Sequence, residues 1–272
     1  MADSDVAQAC LPDAPLDRRF GGLARLYGKD AAARIRSAHV AVVGIGGVGS
    51  WAAEALARSG VGRLTLVDMD HVSESNVNRQ IQALSSTLGM AKIGAMQARI
   101  AQINPDCQVQ GIDDFVTPDN WPHLLPAGVH AVIDACDQVQ AKLAMAQWAR
   151  STRAIFISVG AAGGKKAAEK VSVGDLSSAT HDPLLAQLRY RLRKFHGAPR
   201  EGKRMGVAVI YSAEPVLGAQ EGGGAQSDNS LNCHGYGSSV AVTASFGMCA
   251  AGWVMNTLST GDLEPRKNNA II

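Results

Sequence analysis

His39–Arg79 reads HVAVVG, IGGVGSWAAEALARSGVG, RLTLVDMD and HVSESNVNR in succession. An apolar run ends in glycines, a helix of small residues follows, and a second apolar run ends in acids. This is the pattern of a strand–turn–helix–strand unit that holds a nucleotide, with backbone amides of the turn facing phosphate. The glycine turn alone leaves the nucleotide and its chemistry open.

Outward from this unit, strands and helices alternate. Leu23–Arg36 has apolar positions at helical spacing and leads into a first strand at Val40–Val43; a second strand is Leu64–Val67. Gly89–Ile103 places Met90, Ile93, Met96, Ile100 and Ile103 on one helical stripe, stopped by Asn104-Pro105. Further strands are expected near Gln108–Ile112, Ala131–Ile133 and Ala154–Val159, with a helix at Val139–Arg150. Such alternation predicts an α/β fold: a Rossmann-like, mostly parallel sheet with helices on both faces.

After Gly160 the texture changes. AAGGKKAAEK reads as a flexible basic loop and VSVGD as a short strand. Leu184–Phe195 reads as an amphipathic helix, and Val207–Tyr211 as a returning strand. Leu217–Cys233, rich in Gly, Ser, Gln and Asn, reads as a loop. Ser238–Leu258 is apolar and uncharged, but it is built from Ala, Gly, Ser, Thr and Met and lacks flanking cations. A helix buried in the core or at a subunit interface is the better reading than a membrane span. The expected organisation is a flexible tail over 1–17 and a single domain over 18–272. That domain carries a basic segment at about 160–234 and the apolar helix at about 238–258.

The 272 residues are 46% hydrophobic and 18% charged, which excludes global disorder. A net charge of +2 provides no whole-protein field, so a nucleic-acid surface must be local. The start, MADSDVAQACLPDAP, is acidic and polar and has no signal-peptide pattern. Cys10, Cys107, Cys136, Cys233 and Cys249 are odd in number and form no CxxC. That argues for a reducing, cytoplasmic setting and against structural zinc.

The residues beyond the turn narrow the chemistry. Asp68 and Asp70 close the second strand, where an acid accepts from the ribose of NAD or of ATP; Asp70 fits equally well as a turn cap. Asn76, Asn78, Arg79 and Gln80 follow, then Lys92. Hydride transfer needs no such arginine–lysine pair. Adenylyl transfer does, because charge builds on the α-phosphate and the leaving pyrophosphate. Asp134 and Asp137, in VIDACDQ, end the fourth strand, and one carboxylate there suits Mg²⁺ bound to phosphate oxygens.

GIGGVGS, LTLVDMD, SNVNRQ, GMAK, INPDC and VIDACD resemble the adenylating domain of the ubiquitin-activating-like superfamily. More narrowly, RRFGGLARLYG, GSWAAEALARSGVG, NVNRQIQAL, DDFVTPDN, DPLLAQLRYRLRK and HGYGSSVAVTASFG resemble the tRNA threonylcarbamoyladenosine dehydratase family, from about Arg19 to Gly252. The resemblance implies an ATP-dependent enzyme that adenylates the threonine carboxylate of threonylcarbamoyladenosine beside a tRNA anticodon and closes it to a ring. The alternative is adenylation of the C-terminus of a ubiquitin-like sulfur carrier. By the family pattern, Gly44, Gly46, Gly47 and Gly49 lie under the nucleotide and Asp68, with Asp70, faces the ribose. Asn76, Arg79 and Lys92 hold the phosphates, and Asp137 holds Mg²⁺.

Superfamily relatives also place an arginine from the N-terminal helix on ATP, often from the partner subunit. Here Gly22 stands at that place, with Arg19 and Arg25 one helical turn to either side, and Arg19 is the candidate. The resemblance further implies a homodimer, a cysteine-desulfurase or sulfur-acceptor partner, and a monovalent cation (K⁺ or Na⁺) beside Mg²⁺. Cys233 is the candidate thiol in the loop, and Cys136 reads as packed. The segment Arg189–Arg204, with Lys165, Lys166 and Lys170, fits tRNA phosphates; Tyr190 and Phe195 fit inward packing at helical spacing.

Overall fold

The computed structural model describes residues 16–200, 202–217 and 236–260. The expected tail, the loop through Cys233 and the C-terminal dozen residues lie largely outside them. Strands β1 (His39–Val43), β2 (Arg63–Val67), β3 (Gln108–Ile112), β4 (Ala131–Asp134), β5 (Ile155–Val159), β6 (Val171–Asp175) and β7 (Ala208–Ser212) form one sheet in the order β3-β2-β1-β4-β5-β7-β6. All pairings are parallel except β6 with β7. The central strand β1 is buried at every position, as its unbroken valine-rich run requires in a sheet covered on both faces.

One face carries α2 (Lys29–Ser37), α3 (Gly49–Arg58), α4 (Lys92–Ile103) and α7 (Val240–Thr260); the other carries α5 (Val139–Thr152) and α6 (Pro183–Phe195). The apolar α7 is a core helix. Val242, Phe246, Ala250, Val254 and Leu258 are fully buried, and a side chain at Gly247 would stand 2.5 Å from the Val48 carbonyl oxygen. No helix among the described residues is long and apolar enough to cross a membrane.

The single helix expected over Leu23–Arg36 is two, α1 (Leu16–Tyr27) and α2, broken at Gly28, whose φ is +86°. Apolar spacing does not register that break, because both pieces present their apolar residues to the same core.

Candidate active site

The strand order reverses between β1 and β4, and in such sheets the crevice at the carboxyl ends of these strands is where ligands sit. Three chain segments meet there. The glycine turn leaves β1, the Asp68–Asp70 corner leaves β2, and the Ala135–Asp137 turn leaves β4. Backbone bonds tie them together: Gly44 N–H donates to Val67 O at 2.8 Å and Ala135 N–H to Val43 O at 2.8 Å.

The glycines have different duties. Gly44 has φ +86°, and a Cβ there would lie 2.9 Å from the Ala135 carbonyl oxygen. A Cβ on Gly49 would fall 1.7 Å from Gly44 O, so only glycine lets α3 start this close to the turn. Gly46 faces open space, which leaves its backbone accessible to a ligand. Gly47 lies beneath Arg79, 3.3 Å from Arg79 Cγ to the built Cβ position. Val48, the residue before α3, makes no side-chain cap; Ser50 N–H donates to Gly46 O at 3.1 Å, and the helix start otherwise presents its amides toward the crevice.

Asp68 is buried and holds the turn. It accepts from Ile45 N–H at 2.6 Å and from Asp70 N–H at 2.9 Å. Burial pushes its carboxyl up; the nearby Lys92 ammonium and these amides oppose that shift. Lys92, at the start of α4, is itself buried and pairs with the exposed Asp70 at 2.7 Å. Asp70 is thus the resting partner of the lysine, and its backbone carbonyl accepts from Lys92 N–H. The loop from His71 to Ala91 closes on itself through a β-bridge between its two ends.

Within that loop Arg79 sits over the glycine turn. Its backbone carbonyl accepts from Trp51 Nε1 at 3.0 Å and Thr243 Oγ1 at 3.4 Å, while Nη1 donates to Ser75 O and Asn78 Oδ1. Asn76 Oδ1 accepts from Ser73 N–H at 3.0 Å, capping the 3-10 turn Glu74–Asn76, and the residue is buried. It shapes the loop that carries Arg79. Gln82, which sequence reasoning missed, donates to Ile45 O at 2.9 Å and fixes the glycine turn from above.

Asp134 and Asp137 part company. Asp134 is fully buried; Lys142 Nζ lies 3.0 Å from each of its carboxylate oxygens, and Ser158 Oγ donates to it at 2.6 Å. Lys142 also donates to Val159 O at 2.7 Å and has no exposed side-chain surface. Asp137 is exposed, with no bond to another described residue. A lone carboxylate beside a phosphate crevice suits Mg²⁺, which keeps waters and phosphate oxygens as its other ligands. Burial, with the Asp134 carboxylate beside it, pushes the Cys136 thiol well up.

Arg19 lies away from this edge in its own chain: its Nη1 donates to Ile103 O at 2.9 Å, at the far end of α4 and roughly 16 Å along the helix from Lys92. It shares a cavity of about 470 Å³ with Arg58 and Arg99. The expectation that Lys165 and Arg189 face tRNA phosphates is corrected: Lys165 is buried and Arg189 half-buried. Lys165 Nζ donates to the carbonyls of His181, Ser212 and Glu214, and Arg189 Nη1 to those of Leu176 and Ala179. The AAGGKK stretch is therefore pinned, with Glu214 also accepting from Lys166 and Ala167 N–H. Cys233 lies outside the described residues.

The ThiF family pattern matches residues 18–270. The chain is 41% identical over 244 residues to the tRNA threonylcarbamoyladenosine dehydratase of Haemophilus influenzae, covering 89% of this chain and 94% of that protein. It is 44% identical over 242 residues to the Escherichia coli enzyme of the same name, covering 86% and 90%. The solved structure of the E. coli tRNA N6-threonylcarbamoyladenosine dehydratase in complex with ATP superposes with a TM-score of 0.81 at 42% identity, over 90% of this chain and 96% of that one. By its sequence, its fold and the arrangement of its crevice, the chain belongs to the ThiF family and, within it, to the tRNA threonylcarbamoyladenosine dehydratases.

Proposed function

We propose that this protein is an ATP-dependent tRNA threonylcarbamoyladenosine dehydratase that works as a single adenylating domain. The observation that carries the reading is the convergence of Arg79, Lys92 and the open Asp137 on one glycine turn. Gly46 and the uncapped start of α3 face the phosphates, and Asp68 lies where the ribose hydroxyls would be held.

An oxygen of the threonine carboxylate attacks the α-phosphorus of ATP, the bond to pyrophosphate breaks, and an acyl-adenylate forms. Arg79 and Lys92 stabilise charge growing on the phosphate oxygens. Binding of the triphosphate draws Lys92 from Asp70, a partner that solvent can take over. Asp137 would hold Mg²⁺, which when bound neutralises phosphate charge. The carbamoyl group then attacks the acyl carbon, AMP departs with the carboxylate oxygen, and a proton is lost to solvent. A ring closes with net loss of water. The attack is intramolecular, an advantage worth up to about 7–11 kcal/mol in favourable cases, and no enzyme nucleophile is needed.

The same reading has the protein act in the cytoplasm as a homodimer. Within a dimer Arg19 would reach ATP only from the partner subunit. A sulfur-transfer partner and a monovalent cation (K⁺ or Na⁺) remain parts of this proposal to be tested by their effect on turnover. The decisive experiment is mass spectrometry of nucleosides from tRNA incubated with protein, ATP and Mg²⁺. Threonylcarbamoyladenosine should lose one water. An unchanged nucleoside, with pyrophosphate release driven instead by a ubiquitin-like protein, would sink the proposal.

A further inference from the structure

Helix α6 carries side chains that the adenylation chemistry does not use. Its inner stripe, Leu184, Leu185, Leu188 and Leu192, is buried in the core on its face of the sheet. Tyr190 and Phe195, which helical spacing would allow to pack inward, instead point outward and are 60% and 61% exposed. Lys194 joins them into one patch, with Nζ 5.5 Å from the Tyr190 ring centre and 5.1 Å from that of Phe195. The surroundings are cationic. From Tyr190 to Arg204 the sequence has six Lys and Arg and one acid, Glu201, and Lys194, Arg200, Lys203 and Arg204 are exposed.

We infer that the Tyr190–Lys194–Phe195 patch is a stacking platform for unpaired bases of the tRNA substrate, with the neighbouring cations on its phosphates; this rests on the dehydratase reading above. Single-stranded nucleic acid presents a flat π-face and a phosphate at each step, which matches exposed rings set among cations and short of acids. Asp182, the N-cap of α6, accepts from Ala161 N–H just past the end of β5, so the helix starts at the crevice edge of the sheet and runs back toward the opposite edge, where His196 O accepts from Arg150 at the end of α5. The patch lies roughly 12–20 Å from the helix start, so it would meet a part of the tRNA remote from the reacting nucleotide.

The test uses the full chain and tRNA bearing threonylcarbamoyladenosine, with Kd measured across a salt series. Tyr190→Ala and Phe195→Ala should each weaken binding about 5-fold or more without changing the slope of log Kd against log salt, whereas Lys194→Ala should reduce that slope by about one. Tyr190→Trp should retain affinity, and ATP binding should be unchanged in all four. Aromatic variants that bind tRNA as tightly as the unaltered protein would overturn the inference, including the case in which they lose a protein partner instead. If the unaltered protein dehydrates tRNA while those variants keep its Kd, the platform alone fails. If it leaves threonylcarbamoyladenosine intact, the dehydratase reading fails and the platform falls with it.

Discussion

Two lysine–aspartate pairs stand at the same end of the sheet, one sealed and one open. Lys142 and Asp134 have no exposed side-chain surface and meet at 3.0 Å; Lys92 and Asp70 meet at 2.7 Å, but Asp70 is 55% exposed. The sealed pair also binds Ser158 and the Val159 carbonyl, so every charge and donor in it has a protein partner. Neither residue is free to meet a ligand without leaving the other uncompensated in the core. The open pair has water on one side, and a phosphate can replace the carboxylate at small cost. Identical chemistry is thus a fixed joint under the Asp137 turn in one case and a solvent-accessible contact in the other.

Breaking the sealed pair should cost most. Lys142→Met is expected to destabilise the fold by about 3–5 kcal/mol, read as a lowered urea midpoint, because it strands a buried carboxylate. Adding Asp134→Asn should recover part of that loss, and a double-mutant cycle measures the coupling. If the single variant unfolds at the unaltered midpoint, the distinction between the pairs is lost. Lys92→Ala and Arg79→Ala should instead lower turnover by roughly 10²–10³, the effect of removing one charge-stabilising donor. Their unfolding midpoints should stay nearly unchanged, a split that a structural role would not produce.

The opposite edge of the sheet sharpens the contrast through pH. His39 is buried there against Thr65 and His130, and burial, with Arg63 beside it, pulls its pKa down to about 4. The folded imidazole stays neutral while the unfolded one takes up a proton near pH 6.5. Stability is therefore full above that pH and falls by roughly 3 kcal/mol as pH drops from 6.5 to 4. Urea unfolding at pH 7 and pH 4.5 measures it, and His39→Gln should flatten this part of the profile. The smallest effect belongs to the open pair. Asp70→Asn should change stability by less than about 1 kcal/mol and the KM for ATP only a few-fold.

Much of the fold is legible in the chain. Apolar runs ending in glycine or aspartate mark β1, β2 and β4, and β3 falls on its expected residues. The candidate site's charged groups stand out in the sequence because they follow those strand ends at short intervals. Burial of polar side chains is not legible. Lys165 and Arg189 look like surface cations in a basic run but satisfy internal carbonyls. Asn76 gives no sign in the sequence that its Oδ1 caps the Glu74–Asn76 turn. Lys142, one helical turn into α5, gives no local sign that Asp134 and Ser158 will close around it.

By itself, then, the sequence determined the Rossmann-like sheet and the glycine turn and put forward Arg79, Lys92 and Asp137 as candidates, since strand periodicity, glycine freedom and charge are properties of neighbouring residues. Tertiary structure alone decided which aspartate is sealed and which is open, that Arg19 lies away from its own crevice, and that Tyr190 and Phe195 face outward. Each of these depends on which distant segment covers a side chain, and desolvation by such a segment is what separates a structural charge from a functional one.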